Sequence, residues 1–553
     1  MQTAVVPATP RPQSPWKLQW LTPLRCRTIL ALVLAAGFVS HLRYLIVDCP
    51  LDLSGDEAYY WDWSRQLDLC YYSKGPVVAY LIRASCAAFG DNMPAVRLPA
   101  LILAVGTSLL TYWLTLRLFS SDRLAFGAAL LSHFVPMFIA GSVLMTIDPP
   151  FYFLWAAATA FAFKAIFQDR KWAWIAMGAA VGLGFLTKFS MPLWLVGLAI
   201  FLTIDRASRQ HWRTRWPWLM LAVAIVFTIP VIIFNIRHGG VSIGHVGGDV
   251  GGSGKSRLSL LSPLVFIATQ LGMLAPPLAV LITAAVVYAI RRRDDPNLRQ
   301  MRFLLCIGLS FFSMVLIAST FTKAQGNWPA PAYFTLMILC AYFLSTRLRD
   351  APTWKPWRIW LWATVGIGLA CMLVMHDTEV LYRPGAWIGG KVGANITPRR
   401  WDPSFRLRGW RELGQAVSRH MAGRIQKPLI VAEKYEFAAE LAFYVDDHPK
   451  TYCMGAYFED LDRRSRMSQY DLWPDRRLDD PALLGRDVIF VGYSLDKQHK
   501  DDPPAELGPD RFLSVRKLHP VEIARRDLPI RTFNIWLCRG LKAPLRPHLQ
   551  QKR

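Results

Sequence analysis

The sequence predicts an α-helical integral membrane protein that carries a soluble α/β domain at its C-terminal end. Three observations predict this class. The 553 residues are 53% hydrophobic and only 18% charged, the apolar residues are pooled into long blocks, and the composition changes near residue 377. A soluble domain carries about 25% charged residues. These features exclude a wholly soluble enzyme.

Each apolar block is long enough to be a membrane helix, which needs roughly 20 apolar residues and somewhat fewer inside a bundle. The blocks predict about eleven spans in chain order, the pair around Lys188 being the shortest. The predicted spans are 28–46, 94–118, 124–142, 149–167, 172–187, 189–204, 216–236, 263–290, 302–321, 329–346 and 357–376.

The basic residues predict the orientation of these spans. Alternate connections, with the span ends beside them, hold 22 Lys and Arg residues, whereas the longer intervening connections hold eight. Basic loops face the cytoplasm. We therefore expect a cytoplasmic N-terminal tail (1–27), a transmembrane domain (28–376) and an extracytoplasmic domain (377–553).

The net charge of +24 is also explained by this orientation. Residues 1–376 carry 32 basic and 15 acidic side chains, and residues 377–553 carry 31 and 24. Most of the excess thus lies in the hydrophobic part, which argues against nucleic acid as a partner and for membrane lipid.

The C-terminal segment has the pattern of an α/β domain. Its short apolar runs at 428–432 and 487–492 predict buried strands, and 436–444 has helical spacing.

The first outer loop, 47–93, contains seven of the 15 acidic residues of the transmembrane part. Asp56 and Glu57 are adjacent carboxylates next to a membrane, where a charge is costly and usually functional. Apolar spacing on both sides of Gly75 predicts two amphipathic helices lying on the membrane surface. The aromatics of this loop have a second interpretation as an interfacial belt.

Two further charged residues stand at predicted outer ends of spans. Asp148 precedes two prolines, a pattern that also starts helices as an N-cap. Lys188 lies at a break between two short spans, and it could also be an interfacial lysine whose charged end reaches water. A cavity with carboxylates and lysines suits a lipid-phosphate substrate: a carboxylate takes a proton from the acceptor, and a lysine holds the departing phosphate.

Five sequence segments, taken together, resemble the protein O-mannosyltransferase-like (dolichyl-phosphate-mannose-protein mannosyltransferase) superfamily, in its bacterial branch related to the lipid A aminoarabinose transferase. They are Asp56-Glu57, Tyr72-Ser-Lys74-Gly-Pro76, Arg97-Leu-Pro99, Asp148-Pro-Pro and Gly182-Leu-Gly-Phe-Leu-Thr-Lys188. The segment from Gln325 through Trp328 to Tyr333 is similar to a further signature of bacterial members.

The resemblance implies a GT-C fold and transfer of a sugar from a polyprenyl-monophosphate donor, with inversion, at the outer face of a bacterial cytoplasmic membrane. It implies Asp56 as the principal catalytic carboxylate, Glu57 as its neighbour and Asp148 as a second essential acid. Lys74, with Lys188, would bind the donor phosphate. The candidates for stacking on the sugar or prenyl chain are Tyr59, Tyr60, Tyr71, Tyr72, Trp328 and Tyr333.

The aminoarabinose transferase has a Glu, implicated there in binding a metal, where this chain has Ser73, and an Arg where it has Tyr59. A divalent metal ion therefore stays an open alternative, with His238 and His245 as weak candidate ligands. The acceptor is lipid A, another glycan or a protein. A lipid-linked sugar carrier or flippase and a polyprenyl-diphosphate-dependent ligase are the alternative functions.

Overall fold

The structure is a computed structural model that describes residues 20–251, 259, 261–322, 324–348, 354–391, 402–459, 464–465, 467–492, 503–545 and 547. Most of the predicted N-terminal tail lies outside these residues.

The part of the chain before the α/β domain consists of a series of helices, α1 to α18. Their bounds are α1 Pro23–Arg43, α2 Gly55–Arg65, α3 Val77–Phe89, α4 Met93–Phe119, α5 Asp122–Leu131, α6 Pro136–Val143, α7 Asp148–Phe167, α8 Trp172–Phe185, α9 Leu193–Ile204, α10 Trp216–Val226, α11 Ile229–Arg237, α12 Val241–Gly251, α13 Ser262–Leu274, α14 Pro276–Arg291, α15 Leu298–Ala318, α16 Ala330–Arg347, α17 Trp354–His376 and α18 Tyr382–Lys391.

Among the described residues, six helical segments have the length and composition to cross a bilayer, and two sharply bent pairs raise that number to eight. One bent pair joins α5 and α6 at 77°, and the other joins α13 and α14 at 111°. The chain is therefore a multi-pass membrane protein. The total of eleven spans stays a prediction.

The predicted single span at 263–290 is wrong in shape. Ala275 separates its two helices with a φ of 69°, and Pro276 follows it. Proline lacks the backbone N–H that a continuing helix needs and restricts the residue before it. Pro136 stands at the corresponding bend between α5 and α6.

The C-terminal part contains the predicted α/β domain. Its helices are α19 Trp410–Met421 and α20 Tyr435–Tyr444, and its strands are β1 Leu429–Ala432, β2 Thr451–Cys453, β3 Val488–Gly492, β4 Phe512–Lys517, β5 Val521–Arg525 and β6 Leu528–Leu541. The sheet has the order β2-β1-β3-β6-β4, and β5 pairs with β6. The strands β2, β1 and β3 are parallel, whereas β6 is antiparallel to its neighbours. The predicted strands and helix are confirmed, since β1 and β3 are fully buried.

The first outer loop and the C-terminal domain share one hydrophobic core. Trp61 and Trp63 of α2 are completely buried and belong to the same cluster as Ile430 of β1 and Phe437 of α20. The two helices predicted around Gly75 exist as α2 and α3, but α2 does not lie on the membrane surface. Eight of its eleven residues, from Glu57 to Ser64, are buried, so protein covers most of the helix.

Candidate functional site

A cavity of about 1230 Å³ lies where the first outer loop, the membrane helices and the C-terminal domain meet. The first loop contributes residues 54–56, 59–60 and 72–74. The membrane part contributes the ends of α6 and α7, Lys188 and the loop before α16. The remaining wall comes from the C-terminal segment, including Lys434 to Phe437.

Asp56 is exposed to this cavity from the first turn of α2. Ser54 caps the helix: its hydroxyl accepts a hydrogen bond from the Glu57 backbone N–H at 3.2 Å, and the Glu57 carboxylate accepts one from the Ser54 backbone N–H at 2.9 Å. A helix turns by about 100° per residue. This turn sends the adjacent carboxylates of Asp56 and Glu57 in different directions.

Glu57 lies behind the cavity wall and is fully buried. Arg97 of α4, also fully buried, donates hydrogen bonds to both carboxylate oxygens of Glu57 at 2.9 Å each. The Met145 backbone N–H donates another at 2.9 Å. Together with the Ser54 backbone N–H, four donors bind the Glu57 carboxylate. These contacts fix the start of α2 and the position of Asp56 beside it.

Asp148 is the first residue of α7. The N-cap position before it is occupied by Ile147, which provides no side-chain cap. One carboxylate oxygen of Asp148 accepts from Lys188 Nζ at 2.9 Å, and the other accepts from Asn327 Nδ2 at 2.7 Å. Asp148 is therefore not the N-cap of α7, and it forms an ion pair with Lys188 at the cavity. Asn327 was missed, although it lies within the Gln325–Trp328 signature.

Lys74 lines the cavity beside Gly75. A Cβ added to Gly75 would lie 1.9 Å from the carbonyl oxygen of Leu186, so only glycine allows the two segments to touch. Leu186 is two residues before Lys188. This close approach therefore brings Lys74 and Lys188, the two predicted phosphate ligands, to one region of the cavity.

Four of the six aromatic candidates line the cavity: Tyr59, Tyr60, Tyr72 and Trp328. Tyr60 lines the cavity together with both acids. Burial raises the pKa of Tyr60 well above its usual range, and the negative charges of Asp56 and Asp148 add to the shift. Gln469, which belongs to the C-terminal domain, binds Tyr59 and Tyr72. Its backbone N–H donates a hydrogen bond to the Tyr59 hydroxyl, and its side-chain oxygen accepts one from the Tyr72 backbone N–H at 2.7 Å.

Tyr71 and Tyr333 are packing residues and do not line the cavity. The Tyr71 ring stacks on Trp63 at 4.3 Å, and its hydroxyl donates to the carbonyl oxygen of Trp63 at 3.0 Å. Tyr333 is buried in α16 and donates to Gln270 at 2.9 Å. Sequence spacing could not distinguish Tyr71 and Tyr333 from the tyrosines that line the cavity, because both kinds stand close to other aromatic residues in the sequence.

The two candidate histidines lie in different surroundings. His238 stacks on Phe234 at 4.2 Å, away from the cavity lining, whereas His245 lines the cavity 5.0 Å from the Tyr72 ring. Within the described part of the chain, no group of three or more His, Cys, Asp or Glu side chains has the geometry to hold a metal ion.

Several cavity residues come from the C-terminal domain and were missed by the sequence reasoning. They include Arg406, Trp410, Lys434, Tyr435, Glu436, Ser468 and Arg531. Glu436 packs directly on α2, since a Cβ on Gly55 would lie 2.5 Å from the Glu436 Cβ. The sequence gives no local signal for these residues, because they meet the first outer loop only through tertiary packing.

The helical bundle, the α/β domain and the cavity between them define a GT-C glycosyltransferase fold. The overall structure matches the crystal structure of ArnT from Cupriavidus metallidurans bound to undecaprenyl phosphate with a TM-score of 0.61 and 16% identity, covering 92% of this chain and 98% of that one. The apo structure of the same protein matches with a TM-score of 0.59 and 15% identity. The predicted fold class is confirmed.

Residues 73–234 match the model of the dolichyl-phosphate-mannose-protein mannosyltransferase family. Lipid A galacturonosyltransferase RgtD of Rhizobium johnstonii is 28% identical over 316 residues, which are 57% of this chain and 65% of that protein. An undecaprenyl phosphate-alpha-4-amino-4-deoxy-L-arabinose arabinosyl transferase of Pseudomonas paraeruginosa is 26% identical over 338 residues, 56% of each chain. The chain thus matches between 56% and 65% of the length of these two relatives. These matches confirm the resemblance seen in the sequence motifs.

Proposed function

We propose that this protein is a glycosyltransferase of the bacterial cytoplasmic (inner) membrane that transfers a sugar from an undecaprenyl phosphate-linked donor to lipid A. Its N-terminus is cytoplasmic, and transfer takes place at the outer face. One observation carries the proposal: Asp56 is exposed in the same cavity as Lys74 and the Asp148–Lys188 pair. The names of the two relatives, which give a lipid A acceptor in one case and an undecaprenyl phosphate donor in the other, support it.

In this proposal Asp56 is the general base. It takes the proton from the acceptor hydroxyl, whose oxygen forms a bond to C1 of the donor sugar. The bond between C1 and the phosphate oxygen breaks, and its electron pair leaves with the undecaprenyl phosphate. Attack opposite the leaving group inverts the configuration at C1. A base held in this position contributes about 10²–10⁴-fold to the rate.

The two lysines stabilise the phosphate that departs. Lys74 extends into the cavity from the first outer loop, and Lys188 is held by Asp148. Because Asn327 donates to the other oxygen of Asp148, the carboxylate has a fixed orientation, and so does the ammonium group that it holds. A preorganised cation needs no rearrangement when negative charge develops. Asp148 thus orients Lys188.

The cavity also suits a lipid substrate. Ile139, Ala140 and Val143 of α6 form an apolar part of its lining, and α6 belongs to a bent, membrane-length pair. An acyl or prenyl chain would pack on this surface while its headgroup meets the charged residues.

The decisive experiment replaces the base. The Asp56→Asn variant, purified in lipid nanodiscs and given a radiolabelled undecaprenyl phosphate sugar with lipid A, is expected to lose transfer by about a hundredfold or more. Donor binding is expected to stay within a few-fold of the wild type. Asp48→Asn is the matched control, because Asp48 lies in the same loop but outside the cavity lining, with 53% of its side chain exposed. Substantial residual transfer by Asp56→Asn would reject the assignment of the base.

The phosphate contact is tested separately with Lys74→Ala. We expect the KM for the donor to rise on the order of tenfold or more, since hydrogen bonds to charged groups contribute about 1.5–3 kcal/mol. Lys171→Ala, which changes a half-exposed lysine paired with Asp169, serves as the control. An unchanged donor KM in Lys74→Ala would contradict the role of Lys74.

A further inference from the structure

Gln469 of the C-terminal domain joins the two segments that carry the proposed chemistry. Its backbone N–H donates a hydrogen bond to the Tyr59 hydroxyl on α2, the helix whose first turn holds Asp56. Its side-chain oxygen accepts a hydrogen bond from the Tyr72 backbone N–H at 2.7 Å, two residues before Lys74. One residue therefore contacts both the helix of the proposed base and the loop of the proposed phosphate ligand.

The segment around Gln469 is fixed on α2 by contacts that do not involve the Gln469 side chain. The Tyr470 hydroxyl donates to the carboxylate of Asp62 at 2.7 Å, and Asp62 is fully buried. Arg476 pairs with the same carboxylate at an N–O distance of 3.4 Å. The Tyr470 ring also stacks on the Tyr59 ring, with 5.8 Å between their centres. The Gln469 side chain, which belongs to a residue only 1% exposed, therefore adds a link to the loop to an attachment that already exists.

The loop from Tyr72 to Gly75 is held at both of its ends. Its Gly75 end packs closely on the membrane part, and its Tyr72 end binds Gln469. Between the ends, the Lys74 carbonyl oxygen accepts a hydrogen bond from the Tyr71 backbone N–H at 3.1 Å, which closes the loop on itself. The backbone position of Lys74 therefore depends on both anchors, one of which belongs to the C-terminal domain.

The position of this backbone matters for the proposed chemistry. A lysine has a flexible four-carbon side chain, so the region that its ammonium group reaches is set by where its backbone lies. The ammonium of Lys74 and the carboxylate of Asp56 come from separate segments, and they act on opposite sides of one reacting carbon. A misplacement of about 1 Å in such groups costs up to about a hundredfold in rate. A link that fixes the loop relative to α2 therefore fixes this spacing.

We propose that Gln469 is a positioning residue that sets the place of Lys74 relative to Asp56. The inference rests on the proposed function, and it gives the C-terminal domain a role in binding the donor phosphate through the protein backbone. Because Gln469 acts through the loop that carries Lys74, its effect on binding requires both the phosphate group of the ligand and the Lys74 side chain.

The test replaces Gln469 by Met, which keeps the length of the side chain and removes the oxygen that accepts the hydrogen bond. Binding of undecaprenyl phosphate and of undecaprenol, the same prenyl chain without the phosphate, is measured on the purified protein in nanodiscs. We expect Gln469→Met to weaken the binding of undecaprenyl phosphate by about two- to tenfold, the factor that corresponds to one neutral hydrogen bond. Undecaprenol binding should stay unchanged. Gln415→Met, which changes an exposed glutamine of α19 outside the cavity lining, is the matched control.

A double-mutant cycle with Lys74→Ala distinguishes positioning from a general structural role. Lys74→Ala removes the ammonium group that the loop places, so adding Gln469→Met in this background should weaken binding of undecaprenyl phosphate by less than about twofold. The same factor in both backgrounds, or an equal loss for undecaprenyl phosphate and undecaprenol, would overturn the proposal. Gln469→Asn, which withdraws the acceptor oxygen by one methylene and keeps the amide, takes the place of Gln469→Met if that variant does not fold.

Hydrogen exchange separates this proposal from the proposed function. If Lys74→Ala binds undecaprenyl phosphate as tightly as the wild type does, the phosphate role of Lys74 in the proposed function is wrong. The position of the loop is measured independently of any ligand, by amide exchange in a peptide that covers residues 71–76. Gln469→Met should speed this exchange, because the Tyr72 N–H loses its acceptor, and should leave a peptide from α19 unchanged. Wild-type exchange of residues 71–76 in Gln469→Met would refute the link between the domain and the loop.

Discussion

The buried pair of Arg97 and Glu57 gives the sharpest prediction about how the site is held together. Arg97 also donates to the carbonyl oxygen of Asp52 at 2.7 Å, so a single side chain joins α4 to the first outer loop at several points. Arg97→Met would leave Glu57 completely buried, with only the backbone donors of Ser54 and Met145. Removing one partner of a buried ion pair costs about 3–5 kcal/mol because the remaining charge is uncompensated.

The assay is thermal and chemical unfolding of the purified protein in detergent, followed by limited proteolysis of the first outer loop. We expect Arg97→Met to lower Tm by several degrees and to expose the loop, whereas Arg83→Met, which changes an exposed arginine of α3, should leave both unchanged. The double variant Arg97→Met/Glu57→Gln should recover about 0.5–3 kcal/mol of the loss, because no unpaired charge remains. Wild-type stability of Arg97→Met, or strict additivity in the double variant, would refute the reasoning.

Two further perturbations test the packing around the site. Gly75→Ala places a methyl group 1.9 Å from the Leu186 carbonyl oxygen, so we expect a loss of about 1–3 kcal/mol and weaker donor binding. Gly127→Ala, with no atom within 4 Å of the added Cβ, is the control for both measurements. Glu440 is completely buried, and among the residues that the structure describes it has no hydrogen-bond partner. Burial raises its pKa well above 4.5, with the carboxylates of Asp52 and Glu57 adding to the shift and Arg531 and Arg97 opposing it. A raised carboxyl pKa makes stability highest below the unfolded pKa and lowers it as the pH rises towards the folded value. Glu440→Gln should therefore flatten the decrease of Tm as the pH rises above 4.5, the ordinary value for a glutamate, and an unchanged slope would contradict this assignment.

The sequence predicted much of the fold because its signals are local. The apolar blocks gave membrane-length helices, and the short runs at 428–432 and 487–492 gave the buried strands β1 and β3. The two bends at Pro136 and Pro276 were not predicted, although proline is the physical cause of both. Hydropathy averaged over a block records how apolar the block is and contains no information about the direction of its axis.

The candidate site was predicted in part. The sequence singled out Asp56, Lys74, Asp148 and Lys188, which all line one cavity. It grouped Glu57 with Asp56 because the two are adjacent in sequence, but adjacent helical residues point in different directions, and only Asp56 is exposed to the cavity. Which tyrosines line the cavity was likewise undecidable, because spacing does not show what lies opposite a side chain.

The sequence by itself determined the class of the protein, the helices of its membrane part and the polar residues that stand at their ends. These follow from hydrophobicity, charge and motif, which are properties of short segments. Only the tertiary structure decided that the C-terminal domain forms part of the cavity, that Asn327 holds Asp148 and that Arg97 saturates Glu57. These contacts join residues far apart in the chain, and they form because burying the aromatic residues of the first outer loop against the C-terminal domain brings their segments together.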